Sequence, residues 1–244
     1  MDQVCGQLIE AADRDGQRII VVSEYGITPV SDAVHLNRAL RQEGLIAYWV
    51  EAEGREYFDA GASEAFAVCD HQLAHIYVKN PARIAEVKAL VEGLDGVDQV
   101  WDEAGKRANG LDHERSGELV ALAKPDRWFS YYYWLDDAKA PDFASTVDIH
   151  RKPGYDPVEM FCDPAISMPK VKAGLKLLKR KLGFRQLMDL TSIKDTQLVR
   201  GSHGLLTAPE DGPLVISSEA EMLPDDEAID ATEFKDLVLR HVFE

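Results

Sequence analysis

The alternation of apolar stretches with polar, glycine or proline breaks predicts a chain that mixes helices and strands throughout. Four segments carry helical apolar spacing or helix boundary signals, which are typical of helices with one buried face. These segments are residues 2–14, 32–42, 81–91 and 231–242. Short apolar runs bounded by turn residues predict strands. The runs fall at residues 18–22, 46–50, 65–68, 72–78, 97–101, 118–123 and 213–217.

The run around residues 19–22 stands out because it holds four consecutive β-branched residues after an Asp-Gly turn. This pattern predicts a central parallel strand covered by helices on both faces. Ligands of open α/β sheets bind at the carboxyl ends of such strands, where Ser23, Glu24 and Tyr25 follow. An ordinary strand exit, with a solvated Glu24 and a packed Tyr25, explains the same residues equally well.

Composition narrows the class of protein. The chain has 244 residues, enough for one large α/β domain, and a formal net charge of -16. The phosphate backbone of a nucleic acid binds clustered Lys and Arg and repels an acidic surface. We therefore expect no nucleic acid partner. No apolar run approaches the roughly 20 residues of a membrane span, so we expect no membrane partner. The three cysteines are odd in number and lack a CxxC spacing, so they signal no disulfide framework. This use of cysteine fits a reducing compartment, and we expect a cytoplasmic protein.

Several polar and aromatic motifs are candidates for chemistry. Carboxylates and imidazoles on loops are the usual ligands of divalent metals. Such residues occur at Glu24, Asp70-His71, Asp112-His113, Asp148, His150, Asp156 and His203. The Asp-His pairs are equally well explained as turn or cap residues. The aromatic run 128–134 either stacks on a substrate base or packs in the core.

A basic amphipathic helix is predicted over residues 170–185. Its apolar stripe is Val171, Leu175, Leu178 and Leu182, and Lys172, Lys176, Lys179 and Arg180 lie on the other side. A basic face of this kind is usually only solvated, and binding to an anionic partner is the alternative.

Two segments carry a resemblance to a known family. They are residues 23–27, Ser-Glu-Tyr-Gly-Ile, and residues 150–157, His-Arg-Lys-Pro-Gly-Tyr-Asp-Pro. The chain resembles the C-terminal half of the type I phosphodiesterase/nucleotide pyrophosphatase family of the alkaline phosphatase superfamily. The resemblance implies an α/β, alkaline phosphatase-like fold with a mixed, mainly parallel sheet and helices on both faces. It also implies a domain at residues 1–218 that lacks its N-terminal half, followed by an acidic linker and short terminal helix at 219–244.

The resemblance also implies a chemistry. Family members use two zinc ions, and the matching metal ligands here are Glu24 and His150, with His203 as a rival to His150 or a second contributor. Tyr25 stands where the family has a histidine, so it is expected to contact substrate, as are Trp128 and Tyr155. The family nucleophile has no counterpart in this chain, so no catalytic nucleophile is assigned.

The resulting expectation is a metal-dependent hydrolase of phosphodiester or pyrophosphate bonds in small, nucleotide-like phosphoesters. This chain would be an incomplete portion, weakly active or inactive, whose partner is a missing N-terminal half or a second copy. The alternative is a non-catalytic binding or assembly module that keeps the fold without the metal site. In that case the basic helix and the aromatic run would form the partner surface.

Overall fold

The structure, a computed structural model, describes residues 2–224 and 228–244. The described residues separate into two compact units, one within 1–26 and 207–244 and the other at 27–206. The α-helices are α1 (Asp2–Arg14), α2 (Leu36–Gln42), α3 (Ile84–Glu92), α4 (Glu103–Ala108), α5 (Pro169–Lys181) and α6 (Phe234–Phe243). The mixed α/β class predicted from the sequence is confirmed.

Twelve strands are found among the described residues. The first eight are β1 (Ile20–Val22), β2 (Thr28–Pro29), β3 (Asp32–Val34), β4 (Ala47–Val50), β5 (Glu56–Asp59), β6 (Ala65–Asp70), β7 (Leu73–Val78) and β8 (Val97–Trp101). The last four are β9 (Leu119–Ala123), β10 (Arg127–Phe129), β11 (Gly201–Ser202) and β12 (Val215–Ser217). Short 3-10 helices lie at Pro81–Arg83, Asp137–Lys139, Ile149–Arg151, Pro157–Met160, Thr196–Leu198, Pro209–Asp211, Ala220–Met222 and Ala231–Glu233.

The larger unit is built around a four-stranded sheet in the order β6-β7-β9-β8. All three pairings within this sheet are antiparallel. Buried side chains alternate along β6 and β7, whereas β9 is buried at every residue. Leucines of α2 and valines of α3 complete the core on this sheet. The sheet therefore has one fully buried strand, β9, and two half-buried strands, β7 beside it and β6 at the edge, in which burial alternates as strand periodicity dictates.

The sequence analysis expects a mainly parallel sheet, whereas the observed strand pairs are mainly antiparallel. Among the described strands, β3 with β10 is parallel, and the other named strand pairs are antiparallel. For β6 with β7 the reason is connection length. Two residues join β6 to β7, and so short a connection permits only an antiparallel hairpin, because a parallel pair needs a crossover of a dozen or more residues.

The predicted central strand at residues 18–22 is also placed differently. In the smaller unit β1 pairs antiparallel with β12 in a two-stranded sheet. Val22 is 49% exposed and Ile216 is 57% exposed, so neither β1 nor the run at 213–217 is buried as expected. β-branched residues favour an extended backbone, but burial on both faces requires covering elements that the sequence of one strand does not reveal.

Residues 128–134 belong to the core of the larger unit. Six aromatic side chains in this segment are fully buried, namely Trp128, Phe129, Tyr131, Tyr132, Tyr133 and Trp134. Tyr132 stacks on Trp134 with ring centroids 4.6 Å apart, and the Arg38 guanidinium lies 5.5 Å from the centre of the Tyr132 ring. The core-packing interpretation of the aromatic run is therefore favoured.

Two further features complete the description. Among the described residues, no helix has both the length and the apolar composition needed to cross a lipid bilayer. The acidic residues Asp225, Asp226 and Glu227 of the predicted linker lie outside the described part of the chain.

Asn37 provides a test of how α2 is held on the sheet. Strand β6 is an edge strand, and its outward-facing Ala67 N–H and carbonyl both bond to the buried Asn37 amide, at 2.8 Å each. We expect Asn37→Ala to lower the free energy of unfolding by about 3 kcal/mol, because two buried backbone groups lose their partners. Denaturant unfolding measures the change. Asn109→Ala is the control, since Asn109 is exposed; an equal loss in both variants would contradict this explanation.

Candidate functional site

The turn between β6 and β7 is the starting point of the site. It consists of His71 and Gln72, and His71 has a φ of 56°. Few residues other than glycine adopt this left-handed conformation, although histidine does so more often than most. The His71 carbonyl accepts a hydrogen bond of 2.7 Å from the Phe129 N–H. A hydrogen bond from β10 therefore holds the backbone of the turn in place.

Gln72 joins the turn to two other segments. Its backbone N–H donates to the His203 carbonyl at 2.9 Å. Its side-chain amide donates to the carbonyls of Pro125 and Arg127, at 2.9 and 3.0 Å. Gln72 is completely buried, where unpaired carbonyls are costly. These bonds place the segment that contains His203 directly beside the turn.

A third segment reaches the turn through Gly154. Gly154 forms a parallel bridge with Cys69, and the Tyr155 N–H donates to the Cys69 carbonyl at 2.8 Å. Gly154 has a φ of 126°, and a Cβ at this position would lie 2.3 Å from the Cys69 carbonyl oxygen. Only glycine permits this close approach. The glycine of the predicted loop thus positions Tyr155 beside the hairpin.

The three segments bring three rings together. The ring centroids of His71 and His203 are 4.0 Å apart, and those of His71 and Tyr155 are 4.7 Å apart. We call His71, Tyr155 and His203 the His71 cluster. Nε2 of His71 lies 3.8 Å from the Asp70 carboxylate. Two imidazoles and a phenol therefore meet where three loops converge.

The electrostatics of the cluster favour a neutral His71. Partial burial lowers the pKa of His71, the neighbouring His203 lowers it further, and Asp70 opposes both effects. The Nδ1 atom of His71 is buried and has no hydrogen-bond partner among the described residues. A neutral imidazole can accept a proton at one ring nitrogen and donate from the other. His71 is thus suited to proton transfer or to binding an oxygen ligand.

The loop that contains Tyr155 also contains a buried ion cluster. The Lys152 ammonium lies 3.0 Å from the Thr146 carbonyl, 3.2 Å from Asp156 and 2.5 Å from Glu159. Burial raises the pKa of Asp156, and Lys152 opposes this shift. Buried charges of this kind are tolerated only when they are paired. The pairing holds residues 152–156 in one conformation.

The implied metal ions can be tested against the residues that are present. Among the described residues, no group of three or more His, Cys, Asp or Glu is close enough to hold a metal ion. His71 and His203 are neighbours, but zinc sites require at least three protein ligands. The described residues do not fit the two-metal site.

Four of the residues predicted for the site belong to the larger unit. His203 and Tyr155 lie in the His71 cluster. His150 is exposed on the 3-10 helix Ile149–Arg151. Trp128 is fully buried among Val30, Val158 and Val199, which favours packing over stacking on a substrate.

The other two predicted residues, Glu24 and Tyr25, belong to the smaller unit. They follow β1, and both are exposed. Their loop is tied to the residue before β12 through Ser23, whose hydroxyl accepts a bond of 3.0 Å from the Leu214 N–H. The carboxylate is therefore accessible to solvent, and its role as a ligand stays a prediction.

His71 is the site residue that the sequence analysis did not single out. The Asp70-His71 pair stands among the possible ligands, with a turn as the equally good explanation. The structure contains the turn, and the turn is what directs the imidazole toward His203. No local pattern reveals this proximity, because His203 and Tyr155 are distant in the chain.

Comparisons with known proteins give the family. The family model described as type I phosphodiesterase/nucleotide pyrophosphatase matches residues 1–156. A search of curated protein sequences found no match.

Two solved structures are similar to the chain at low identity. Phosphonoacetate hydrolase from Sinorhizobium meliloti, in complex with phosphonoformate, is 16% identical with a TM-score of 0.47; the match covers 94% of this chain and 43% of that one. Murine ectonucleotide pyrophosphatase/phosphodiesterase 5 is 19% identical with a TM-score of 0.35, covering 52% of this chain and 31% of that one. The chain thus spans less than half the length of these relatives. Because the family model matches more than half of its residues, the chain belongs to the type I phosphodiesterase/nucleotide pyrophosphatase family.

Proposed function

We propose that this chain forms part of a hydrolase of phosphodiester or pyrophosphate bonds, and that the His71 cluster contacts the phosphoryl group. The observation that carries the proposal is the convergence of His71, His203 and Tyr155 from three loops. Family membership supplies the class of reaction. Small, nucleotide-like phosphoesters are the proposed substrates.

The side chains of the cluster have distinct roles in this proposal. The neutral His71 imidazole accepts a proton from the attacking group or donates one to the leaving oxygen. The Tyr155 hydroxyl and an N–H of His203 donate hydrogen bonds to phosphoryl oxygens, on which negative charge is concentrated in the transition state. The backbone contacts of Gln72 and Gly154 keep these donors in place before the substrate arrives.

Metal dependence stays a prediction. Zinc held by Glu24, His150 and His203 is the set implied by the family resemblance, and the proposal assigns no step to it. The non-catalytic binding module is retained as the second candidate function. The observation that favours it is that the described residues contain no group of three or more metal ligands.

Phosphoester binding and turnover test the proposal. We expect His203→Ala to weaken binding of adenosine monophosphate at least tenfold in calorimetric titration, because donors to the phosphoryl oxygens are lost. His113→Ala is the matched control, since His113 is exposed and lies outside the cluster. Unchanged affinity in His203→Ala would refute the assignment of the cluster.

Bound metal separates the two candidate functions, and turnover tests whether the site is incomplete. We expect the isolated chain to hydrolyse a nitrophenyl phosphodiester weakly or not at all with zinc present, since it provides no family nucleophile. Mass spectrometry of bound metal in Glu24→Ala and His150→Ala runs in parallel. Metal lost in both variants supports the hydrolase, whereas unchanged metal content supports the binding module. Rapid zinc-dependent turnover would contradict the expectation of an incomplete site.

The titration of His71 tests its electrostatic environment. We expect the His71 pKa to lie below 6.5, so the folded state loses stability as the pH falls below that value. His203→Ala should raise the pKa of His71, because burial and a neighbouring positive charge both diminish. Asp70→Asn should lower it, because a stabilising negative charge is removed. Nuclear magnetic resonance of the imidazole measures both shifts, and shifts of the same sign would contradict this account.

A further inference from the structure

Helix α5 presents its apolar stripe to solvent instead of to the core. Val171, Leu175, Leu178 and Leu182 are each more than half exposed, and no residue of α5 is buried. The opposite side of the helix contacts the rest of the unit through Lys172 and Lys176, which both pair with Asp189. The helix is therefore attached by its polar side.

Two further apolar side chains next to the ends of the helix are exposed. Met168 precedes the helix and Phe184 follows it, and both are exposed by more than three fifths. Contiguous exposed apolar surface on a soluble unit marks a site of interaction. We call residues 168, 171, 175, 178, 182 and 184 the α5 stripe.

Basic residues flank the stripe on both sides. The helix contains six Lys or Arg residues and no Asp or Glu, although the chain carries a net charge of -16. With 3.6 residues per turn, Lys179 lies on one side of the stripe, and Lys170 and Lys181 lie on the other. Within the described part of the chain, these three lysines form no ion pair; the pairs of α5 are those of Lys172 and Lys176. The flanking charges are therefore directed to solvent.

We propose that α5 binds the surface of an anionic membrane. The α5 stripe would enter the boundary between headgroups and acyl chains, and the flanking lysines would extend to the lipid phosphates. The charge distribution favours this partner. The protein as a whole is acidic, so the basic face of α5 is the part of it that a negatively charged surface attracts. Pairing of α5 with α5 of a second copy is disfavoured, since it would bring together the flanking Lys170, Lys179 and Lys181 of both copies.

This mode of binding is distinct from spanning a bilayer. An interfacial helix lies in the plane of the membrane and needs a polar face, which α5 has. The proposal concerns a partner and is independent of the hydrolase assignment, because none of its residues belongs to the His71 cluster.

Co-sedimentation of the whole chain with lipid vesicles tests the proposal. We expect binding to vesicles that contain about one third phosphatidylserine, little binding to pure phosphatidylcholine, and loss of binding as salt is added. Lys170→Gln and Lys181→Gln should each lower the partition coefficient about fivefold. Equal binding to neutral vesicles, or no binding to either, would overturn the proposal.

Two adjacent leucines provide a matched pair of variants. Leu178 is 54% exposed and lies in the stripe, whereas Leu177 is 53% exposed and lies on another face. We expect Leu178→Gln to lower the partition coefficient about tenfold, and Leu177→Gln to leave it unchanged. Both substitutions replace good helix formers with similar ones at exposed positions, and circular dichroism checks the fold. Equal losses would overturn the proposal.

A protein partner predicts a different result. Light scattering after size-exclusion chromatography, without lipid, reports whether the chain self-associates. A dimer that Leu178→Gln dissociates would show that a second copy covers the stripe and would overturn the membrane assignment. A monomer that binds anionic vesicles supports it.

Discussion

The buried side chain of Gln72 is the contact on which the candidate site depends. Its amide pairs with the carbonyls of Pro125 and Arg127, while its backbone N–H is paired with the His203 carbonyl. Each of these groups would cost about 1–3 kcal/mol if it were left buried and unpaired. The bond from the Gln72 N–H therefore holds the His203 backbone beside the turn that carries His71.

The same constraint explains why the cluster forms at a chain reversal. The two-residue turn forces His71 into a left-handed conformation, and Gly154 has to approach the backbone of Cys69 more closely than any other residue could. Both features fix side-chain directions without using the side chains themselves. In the proposed function, groups held in this way would need no rearrangement when a substrate binds, which is the property that electrostatic stabilisation of a transition state requires.

Local patterns predicted the elements, but not how they pair. Helices α1, α3, α5 and α6 were predictable because 3.6-residue spacing and boundary residues are contained in the segment itself. The antiparallel pairing of β1 with β12 joins opposite ends of the chain, so no run of residues around Val22 contains it. For the same reason the sequence favoured His150 with His203 as its rival, whereas only the contacts of Gln72 and Gly154 distinguish cluster residues from exposed ones.

The orientation of α5 is a further feature that the local sequence pattern does not predict. An amphipathic pattern predicts that the apolar face turns inward, because burial of apolar area is the usual driving force. In α5 the inward positions are Lys172 and Lys176, whose ammonium groups share the Asp189 carboxylate, a residue outside the helix. These ion pairs lie on the side of the helix that faces the unit, and the leucines lie on the side that faces outward. Because the helix is attached through its lysines, its leucines remain in water. Burying them in an apolar environment on the outer face would therefore be favourable.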